Sequence, residues 1–352
     1  MRIILDGMGG DNAPGEIVKG AAIVSKQVEH EICIIGDEEQ LKKELSLNDH
    51  EPKRISIVHT SELVTNEDKP LKAIRQKKDS SLVKGLMMVK NGEGDMFLSA
   101  GNSGALMMGA LLLYGRIGKV ERPALGSPYP FLKRGGLGLI VDAGANSDVH
   151  RPSCLLYFAV MGSIYAEKVL GIDNPKVGLV NMGTEPNKGS LTLKEAYRLL
   201  SLAKEQKGLN FIGNIEGRDI PLAIADVFVC DGLTGNVILK VTEGMAISIL
   251  GLMKKYFTSG TKAKLGALML KPKLNEMKTS FDYNVYGGAP ILGVKAPVLK
   301  IHGSSSYVAV VNGILKGIPY VERDVIGEIE RTVSEMDDIL AQVNTGPAET
   351  EE

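Results

Sequence analysis

Three short segments of the chain combine glycine with hydroxyl, amide or imidazole side chains, a mixture that suits the binding of an anion. Residues 100–104 read Ala-Gly-Asn-Ser-Gly, residues 231–236 read Asp-Gly-Leu-Thr-Gly-Asn, and residues 302–306 read His-Gly-Ser-Ser-Ser. Glycine lets a backbone approach its ligand closely, and the N–H groups of a helix's first turn attract negative charge. Helix capping explains any one segment. Because capping does not require so many glycines, the three together favour an anion site.

Other catalytic signatures are incomplete or missing in the sequence. Residues 7–12 supply the first two glycines of G-x-G-x-x-G without the third, and no Walker A lysine follows a glycine run. We find no G-x-S-x-G segment, no cysteine with a histidine partner at motif spacing, and no clean spacing of metal ligands. We therefore expect no metal and no cofactor. Of the 5 histidines, only His302 lies in a strand-end loop, where a structural role and a catalytic one are equally open.

Composition limits the class of protein further. The 352 residues are 44% hydrophobic and 24% charged, with a net charge of -1 and no tryptophan. This balance is typical of a globular protein and argues against nucleic acid as a partner. The 3 cysteines lie far apart in apolar runs, as expected of buried, reduced thiols in a cytoplasmic protein. No apolar run reaches the roughly 20 residues of a membrane span.

The elements that position these residues alternate between short β-rich runs and helical patterns. The predicted strands cover residues 2–6, 31–36, 54–59, 95–99, 138–142, 176–181, 210–213, 226–230 and 298–301. Such alternation predicts an α/β fold with three layers, in which helices cover both faces of a doubly wound, mostly parallel sheet. Ligands bind beyond the carboxyl ends of the strands in these folds. The polar residues that follow each strand are therefore the candidates for function.

One segment, residues 249–274, is both basic and apolar. No acidic residue occurs between Met245 and Asn275, and residues 258–260 should divide the segment into two helices. A basic amphipathic segment suits an anionic membrane or an acidic partner, or it packs on the core or on a second subunit. We expect it to protrude. The residues predicted to contact a membrane or a carrier protein are Lys254, Lys255, Lys262, Lys264, Leu268, Leu270 and Lys271.

Eight ordered segments resemble the bacterial phosphate acyltransferases (acyl-carrier-protein:phosphate acyltransferases, the PlsX family). They are Asp6-Gly7-Met8-Gly9-Gly10-Asp11-Asn12-Ala13-Pro14, Ser99-Ala100-Gly101-Asn102-Ser103-Gly104-Ala105, Val141-Asp142-Ala143-Gly144-Ala145-Asn146, Gly178-Leu179-Val180-Asn181-Met182-Gly183-Thr184-Glu185 with Lys188-Gly189, Phe211-Ile212-Gly213-Asn214-Ile215-Glu216-Gly217, Cys230-Asp231-Gly232-Leu233-Thr234-Gly235-Asn236 with Lys240, Tyr286-Gly287-Gly288-Ala289-Pro290-Ile291-Leu292-Gly293, and His302-Gly303-Ser304-Ser305. The one departure is Gly7, where the family has alanine. The segments cover almost the whole chain, and their order makes the resemblance specific.

The resemblance implies a fold similar to the isocitrate/isopropylmalate dehydrogenases and the phosphotransacetylases. It also implies a homodimer that makes a long-chain acyl phosphate from acyl-acyl-carrier-protein and inorganic phosphate at the start of phospholipid synthesis. The product would pass to a membrane-bound glycerol-3-phosphate acyltransferase. We therefore expect a cytoplasmic enzyme associated peripherally with the inner face of the cell membrane. We predict one large α/β unit over residues 1–345, which has two lobes if residues 282–345 return to the N-terminal part, and a disordered tail at 346–352.

Motif and strand-end position together suggest roles for individual residues. The predicted catalytic residues are Lys188, to offset phosphate charge, Asn236 (or a loop amide), for the oxyanion, and His302 or Asp231, to move a proton. The residues predicted to bind phosphate or substrate are Gly101, Asn102, Ser103, Gly104, Asn146, Asn181, Lys240, Ser304 and Ser305. Phosphate itself attacks the thioester in this scheme, so no enzyme nucleophile is needed.

Three alternative functions can be compared with the sequence. A nicotinamide-dependent decarboxylating dehydrogenase would need a nucleotide site and an acidic metal cluster, and neither is evident. A short-chain phosphotransacetylase would use coenzyme A rather than carrier protein as its donor. A sensor would bind phosphate or acyl phosphate without turnover, and the many polar strand-end loops argue mildly against it.

Overall fold

Eleven strands form one sheet in the computed structural model, which describes residues 1–131, 135–146, 151–280 and 283–344. The strands are β1 (Arg2–Asp6), β2 (Glu31–Gly36), β3 (Ile55–His59), β4 (Met96–Ser99), β5 (Ala124–Pro130), β6 (Leu137–Val141), β7 (Val177–Val180), β8 (Phe211–Ile215), β9 (Val227–Val229), β10 (Ala289–Leu292) and β11 (Val298–Lys300). The helices are α1 (Gly15–Ser25), α2 (Glu38–Ser46), α3 (Pro70–Gln76), α4 (Ser81–Lys90), α5 (Ser103–Tyr114), α6 (Pro152–Lys168), α7 (Leu191–Lys207), α8 (Gly232–Phe257), α9 (Thr261–Ser280), α10 (Tyr307–Glu322), α11 (Val325–Glu335) and α12 (Asp337–Asn344). The tail at 346–352 lies outside the described residues.

The strand order is β3-β2-β1-β4-β11-β10-β5-β6-β9-β7-β8. Strands β3, β2, β1, β4 and β11 run parallel to one another, and so do β6, β9, β7 and β8. Between these two blocks, β10 and β5 are antiparallel to each other and to their outer neighbours. The late strands β10 and β11 thus return to lie between the early strands β4 and β5. The sheet is mostly parallel, as the sequence predicts.

The two antiparallel strands, β5 and β10, are the ones that the sequence did not predict. Strand β5 contains Pro128 and Pro130, and β10 contains Pro290. Proline lacks a backbone N–H and is depleted in central strands, so local sequence argues against a strand at both places. Strand β5 nevertheless pairs with β6 from Gly126 to Pro130, because its neighbours in the sheet supply the remaining hydrogen bonds.

Alternation along the strands accounts for the three layers. In β1, Ile3 and Leu5 belong to a buried cluster that includes residues of α1, α6 and α10. Ile4 belongs to a second cluster, which includes residues of α4 and α5. Successive side chains of a strand point to opposite faces of the sheet. Since both faces of β1 are apolar, helices must cover both. This three-layer arrangement is the α/β architecture that the sequence predicts.

Helices α8 and α9 form a pair with little cover from the rest of the chain. Helix α8 ends at Phe257 and α9 begins at Thr261, so the break lies where residues 258–260 predict it. In the described part of the chain, α8 is the one helix that is long and apolar enough to cross a membrane, judged by length and composition alone. Only 6% of its most apolar stretch of 18 residues is buried inside the protein. Its first turn packs on the loop after β6, where Gly232 and Gly235 are buried. Further along α8, Val237, Val241, Met245 and Ile249 form an apolar face that the described residues leave exposed.

Candidate active site

Two cavities meet where the two blocks of the sheet join. The larger has a volume of 720 Å³ and the smaller 310 Å³. Ser103, Leu125 and Lys300 line both of them. Ser103 begins α5, directly after β4, and Lys300 ends β11, which pairs with β4. The shared wall therefore lies at the carboxyl ends of two neighbouring parallel strands, where α/β folds bind their ligands.

The loop after β11 supplies the polar wall of the smaller cavity through His302 and Ser305. Ser305 is only 3% exposed, and its hydroxyl has no hydrogen-bond partner among the described residues. Buried hydroxyl groups are nearly always paired, because leaving one unpaired costs about 1–3 kcal/mol. Because Ser305 also lines the cavity, a polar ligand bound there could supply the missing partner.

The imidazole of His302 is oriented by its own loop. Its Nδ1 accepts a hydrogen bond from the Ser304 backbone N–H at 3.3 Å and lies 2.9 Å from Ser304 Oγ. Because a backbone N–H can only donate, the proton of the neutral ring is on Nε2. Partial burial, together with the positive charges of Lys240 and Lys300, lowers the pKa of His302. The ring is therefore neutral at pH 7.

Helix α8 contributes a second wall of the smaller cavity. Asn236 and Lys240 lie one helical turn apart on α8 and both line this cavity. Lys240 forms an ion pair of 2.8 Å with Glu243, which lines the cavity as well. This wall thus combines a neutral amide with a cation whose charge is partly balanced.

Buried aspartates hold the strand-end loops together. Asp6, at the end of β1, accepts a hydrogen bond of 2.6 Å from Ser99 Oγ, which itself accepts one of 3.0 Å from the Gly101 N–H. The β1 loop also contacts the β11 loop, where Asn12 Nδ2 donates to the Ser304 and Ser305 carbonyls at 3.2 and 3.3 Å. Burial raises the pKa of Asp6. Three loops are therefore fixed before any ligand binds.

A second buried carboxylate, Asp142, organises the loop after β6. It accepts backbone N–H groups of Ala145 and Asn146, each at 2.8 Å, and the Asn146 side chain at 2.8 Å. The α8 start packs directly on this loop, since a Cβ at Gly235 would lie 1.9 Å from the Asp142 carbonyl oxygen. Glycine here permits contact between two loops rather than contact with a ligand. This contact explains part of the glycine content that suggested an anion site.

The larger cavity has an apolar wall and a charged rim. Met107, Met108 and Leu111 of α5 line it. Arg116, Glu121, Arg122 and Arg151 line it further along, and Glu121 forms an ion pair of 2.6 Å with Arg151. Such a cavity can accept a long ligand that is apolar over part of its length and negatively charged elsewhere.

The structure brings together about half of the predicted site residues. Those that line a cavity are Ser103, Gly104, Asn146, Asn236, Lys240, His302 and Ser305. Gly101, Asn102, Asn181, Lys188, Asp231 and Ser304 line neither. Ser304 and Gly101 still act on the site indirectly, through the hydrogen bonds to His302 and from Gly101 to Ser99.

Two predicted site residues act as helix caps. Asp231 accepts hydrogen bonds from the Thr234 N–H and hydroxyl, each at 2.8 Å, and so caps α8. Asn102 accepts one of 2.9 Å from the Ala105 N–H, and so caps α5, while its Nδ2 donates to the Thr65 carbonyl at 3.0 Å. These side chains are committed to positioning the helix starts.

Lys188 and Asn181 lie away from the cavities for a topological reason. Both follow β7, which β9 separates from β6, so they lie about 10 Å beyond the strand that borders the larger cavity. The Asn181 amide donates to the Lys188 carbonyl at 3.0 Å, and the Lys188 ammonium lies 4.0 Å from Glu185. Their predicted roles in catalysis and phosphate binding remain predictions.

Lys300 is the main functional candidate that the sequence reasoning missed. It lies inside the predicted strand 298–301, where a side chain is expected to serve the sheet rather than a ligand. The available signal was a lysine between Leu299 and Ile301 in an otherwise apolar strand.

Within the described ranges, no group of three or more His, Cys, Asp or Glu side chains is arranged to hold a metal ion.

The fold and the site define an α/β protein in which a cavity with several polar side chains joins a larger, partly apolar one. A sequence model of the family described as "fatty acid synthesis protein" matches residues 1–328. The phosphate acyltransferase of Alkaliphilus oremlandii is 49% identical over 96% of this chain and 99% of its own length. That of Clostridioides difficile is 46% identical over 95% of this chain and 96% of its own length. The chain therefore belongs to the phosphate acyltransferase family and is an acyltransferase, as its resemblance to that family predicts.

Solved structures support the fold independently. A phosphotransacetylase from Streptococcus pyogenes superimposes with a TM-score of 0.61 over 92% of this chain and 94% of its own length. Its sequence is only 15% identical, so the similarity concerns the fold. The predicted similarity to the phosphotransacetylase fold is confirmed.

Proposed function

We propose that this acyltransferase transfers a long-chain acyl group from acyl-acyl-carrier-protein to inorganic phosphate, giving acyl phosphate and free carrier protein. One observation carries the proposal beyond the family assignment. A smaller cavity, whose walls include an imidazole, an amide and the residue with the unpaired buried hydroxyl, joins a larger cavity that Met107, Met108 and Leu111 line on one side. A small anion and a long apolar thioester are the pair of substrates that such an arrangement suits.

Phosphate occupies the smaller cavity in this proposal. Ser305 supplies a buried hydroxyl, and the starts of α5 and α10 lie at Ser103 and Tyr307. Helix N-termini bind anions through their N–H groups and the helix dipole. The Tyr307 N–H of α10 already donates to the Glu16 carboxylate at 2.6 Å, so the start of α5 at Ser103, on the shared wall, is the better candidate for the phosphate.

The acyl thioester occupies the larger cavity. Met107, Met108 and Leu111 provide an apolar surface for the acyl chain, and the flexible methionines adapt to its shape. Arg116 and Arg122 lie where negative groups of the donor would pass. The two substrates then meet at the shared wall, and holding them in contact lowers the entropic part of the barrier.

The reaction needs no nucleophile from the enzyme, because a phosphate oxygen attacks the thioester carbonyl carbon. The oxyanion that develops can be stabilised by the Asn236 amide and by the neutral His302 ring, both of which line the smaller cavity. Asp231 is less suited to moving a proton, since both of its oxygens accept hydrogen bonds in the α8 cap.

The helices α8 and α9 support the proposed partners and location. Exposed apolar side chains on α8 include Val237, Val241, Met245 and Ile249, and we propose that a second copy of the chain covers them. On α9, Leu265, Leu268, Met269 and Leu270 are exposed as well, beside the basic residues. We propose that this end contacts the anionic inner face of the cell membrane, where a membrane-bound glycerol-3-phosphate acyltransferase would take the product.

The test is phosphate-dependent loss of thioester from palmitoyl-acyl-carrier-protein, without added nucleotide or metal, with hydroxylamine to trap the product. A hydroxamate that forms only with phosphate is expected. Acetyl-coenzyme A serves as the comparison donor, and a preference for it would replace the proposal with a short-chain phosphotransacetylase. If folded protein gives no product with either donor, the chain would instead be a protein that binds phosphate or acyl phosphate without turnover.

A further inference from the structure

We propose that Lys300 is a catalytic residue whose ammonium group contacts both substrates at the shared wall and transfers a proton to the departing sulfur. The inference rests on the proposed function and adds a residue to it. Lys300 is the last residue of β11, where it pairs with Ala289 of β10. It is therefore at the junction of the parallel block with the antiparallel pair.

The burial of Lys300 requires a functional explanation. The side chains around it in the chain, Val298, Leu299 and Ile301, are at most 1% exposed, and Lys300 itself is 9% exposed. Burying an ammonium is costly unless it is paired. No carboxylate in the part of the chain described here lies within 4.0 Å of its Nζ. A lysine placed in this strand for stability alone would be better replaced by an apolar residue.

The contacts of the Lys300 ammonium leave capacity for a ligand. Its Nζ donates to the Ala100 carbonyl at 3.2 Å and to the carbonyl of Ile301. A lysine ammonium has three N–H donors, so one remains after these two bonds. The two carbonyls fix the group at the shared wall, because Lys300 lines both cavities. The remaining N–H is the donor that the proposal assigns to the substrates.

Burial also adjusts the acidity of Lys300 to this chemistry. Desolvation lowers its pKa to about 8, although the negative charges of Asp6 and Asp11 act in the opposite direction. A thiol has a pKa of about 8.5, so proton exchange between the two groups is nearly balanced. The other cations that line the cavities are less suited, because arginine does not release its proton and Lys240 is paired with Glu243.

The step can be written with each proton and bond accounted for. A phosphate oxygen forms a bond to the carbonyl carbon, and the carbon–sulfur bond breaks with its electron pair passing to sulfur. The Lys300 ammonium gives its proton to that sulfur, and the resulting amine takes the proton that remained on hydrogen phosphate. The products are the acyl phosphate dianion and the free thiol, with the ammonium restored.

The experiment compares Lys300→Met and Lys300→Arg with the wild type in the hydroxamate assay from pH 6.5 to 9.5. Lys316→Met is the matched control, because burial also lowers the Lys316 pKa to about 8 while Lys316 lines neither cavity. We expect Lys300→Met to lower kcat by about 10²–10⁴-fold, the usual contribution of a proton donor, and Lys316→Met to stay near the wild type. Circular dichroism verifies folding.

The pH profile separates catalysis from a structural role. Because the ammonium is present below its pKa and lost above it, wild-type kcat should fall above about pH 8. Arginine stays charged, so the remaining activity of Lys300→Arg should lack this decline. A folded Lys300→Met enzyme with near-normal kcat, or an unchanged alkaline decline in Lys300→Arg, would overturn the inference. If neither variant folds, a wild-type kcat that stays level to pH 9.5 overturns it. Absence of wild-type product would instead reject the proposed function.

Discussion

Replacing Ser305 with alanine should affect stability and phosphate binding in opposite directions. The Ser305 hydroxyl is buried and unpaired in the described structure, so the protein without phosphate bears the cost of its desolvation. Alanine removes the hydroxyl and leaves the backbone contacts of this residue intact, including the 3.1 Å bond from its N–H to the His302 carbonyl. Ser305→Ala should therefore fold normally.

The magnitudes follow from the cost of an unpaired group and the strength of a charged hydrogen bond. An unsatisfied buried hydroxyl costs about 1–3 kcal/mol, so the phosphate-free variant should be as stable as the wild type or more stable by up to that amount. A hydrogen bond to a charged group contributes about 1.5–3 kcal/mol, which corresponds to a roughly 10- to 150-fold weaker affinity for phosphate in the variant.

The matched control is Ser25→Ala. Ser25 is buried, as Ser305 is, but its hydroxyl donates to the Ala22 carbonyl at 2.7 Å and accepts from the Glu51 N–H at 3.0 Å. Its loss should destabilise the protein by about 1–3 kcal/mol and leave phosphate affinity unchanged.

Urea unfolding with and without phosphate, together with calorimetric titration of phosphate, measures both effects. Phosphate should raise the unfolding midpoint of the wild type and of Ser25→Ala more than that of Ser305→Ala, since a ligand stabilises the folded state according to its affinity. If Ser305→Ala instead behaves like Ser25→Ala, with lower stability and normal phosphate affinity, the assignment of the smaller cavity to phosphate is wrong.

Three further predictions concern other parts of the molecule. Gly235→Ala should abolish turnover, because its Cβ would lie 1.9 Å from a carbonyl oxygen, whereas Gly244→Ala on the same helix meets nothing within 4 Å and should keep normal turnover in the hydroxamate assay. His302→Ala should lower kcat, and because the pKa of His302 is lowered, wild-type activity should persist below pH 6.5, the ordinary pKa of histidine; an acid decline centred above that value would contradict a neutral ring. Replacing Leu268 and Leu270 with glutamate should release the protein from anionic vesicles in a flotation assay while sedimentation shows an unchanged oligomeric state; unchanged flotation would exclude this surface as a membrane contact.

The sequence alone determined the layers of the fold and the loops of the site. Apolar runs such as Arg2–Asp6 and the glycine-rich segments that follow them are local patterns, and they locate the strands and their carboxyl ends. The residues that cap helices also follow local rules, so Asp231 and Asn102 were correctly placed at helix starts. Local composition could not distinguish a capping side chain from one that faces a ligand, because both uses favour the same residue types.

The tertiary structure alone decided the order of the strands and the burial of individual side chains. Strands β5 and β10 exist despite their prolines because their neighbours hold them in the sheet. The same order places Lys188 two strands away from the cavities and brings Lys300 to the point where they meet. Contacts between residues distant in sequence set these positions, and such contacts leave no periodic pattern in the chain. The role of a lysine in an apolar strand can be inferred only when the neighbouring strands, and hence the cavities it lines, are known.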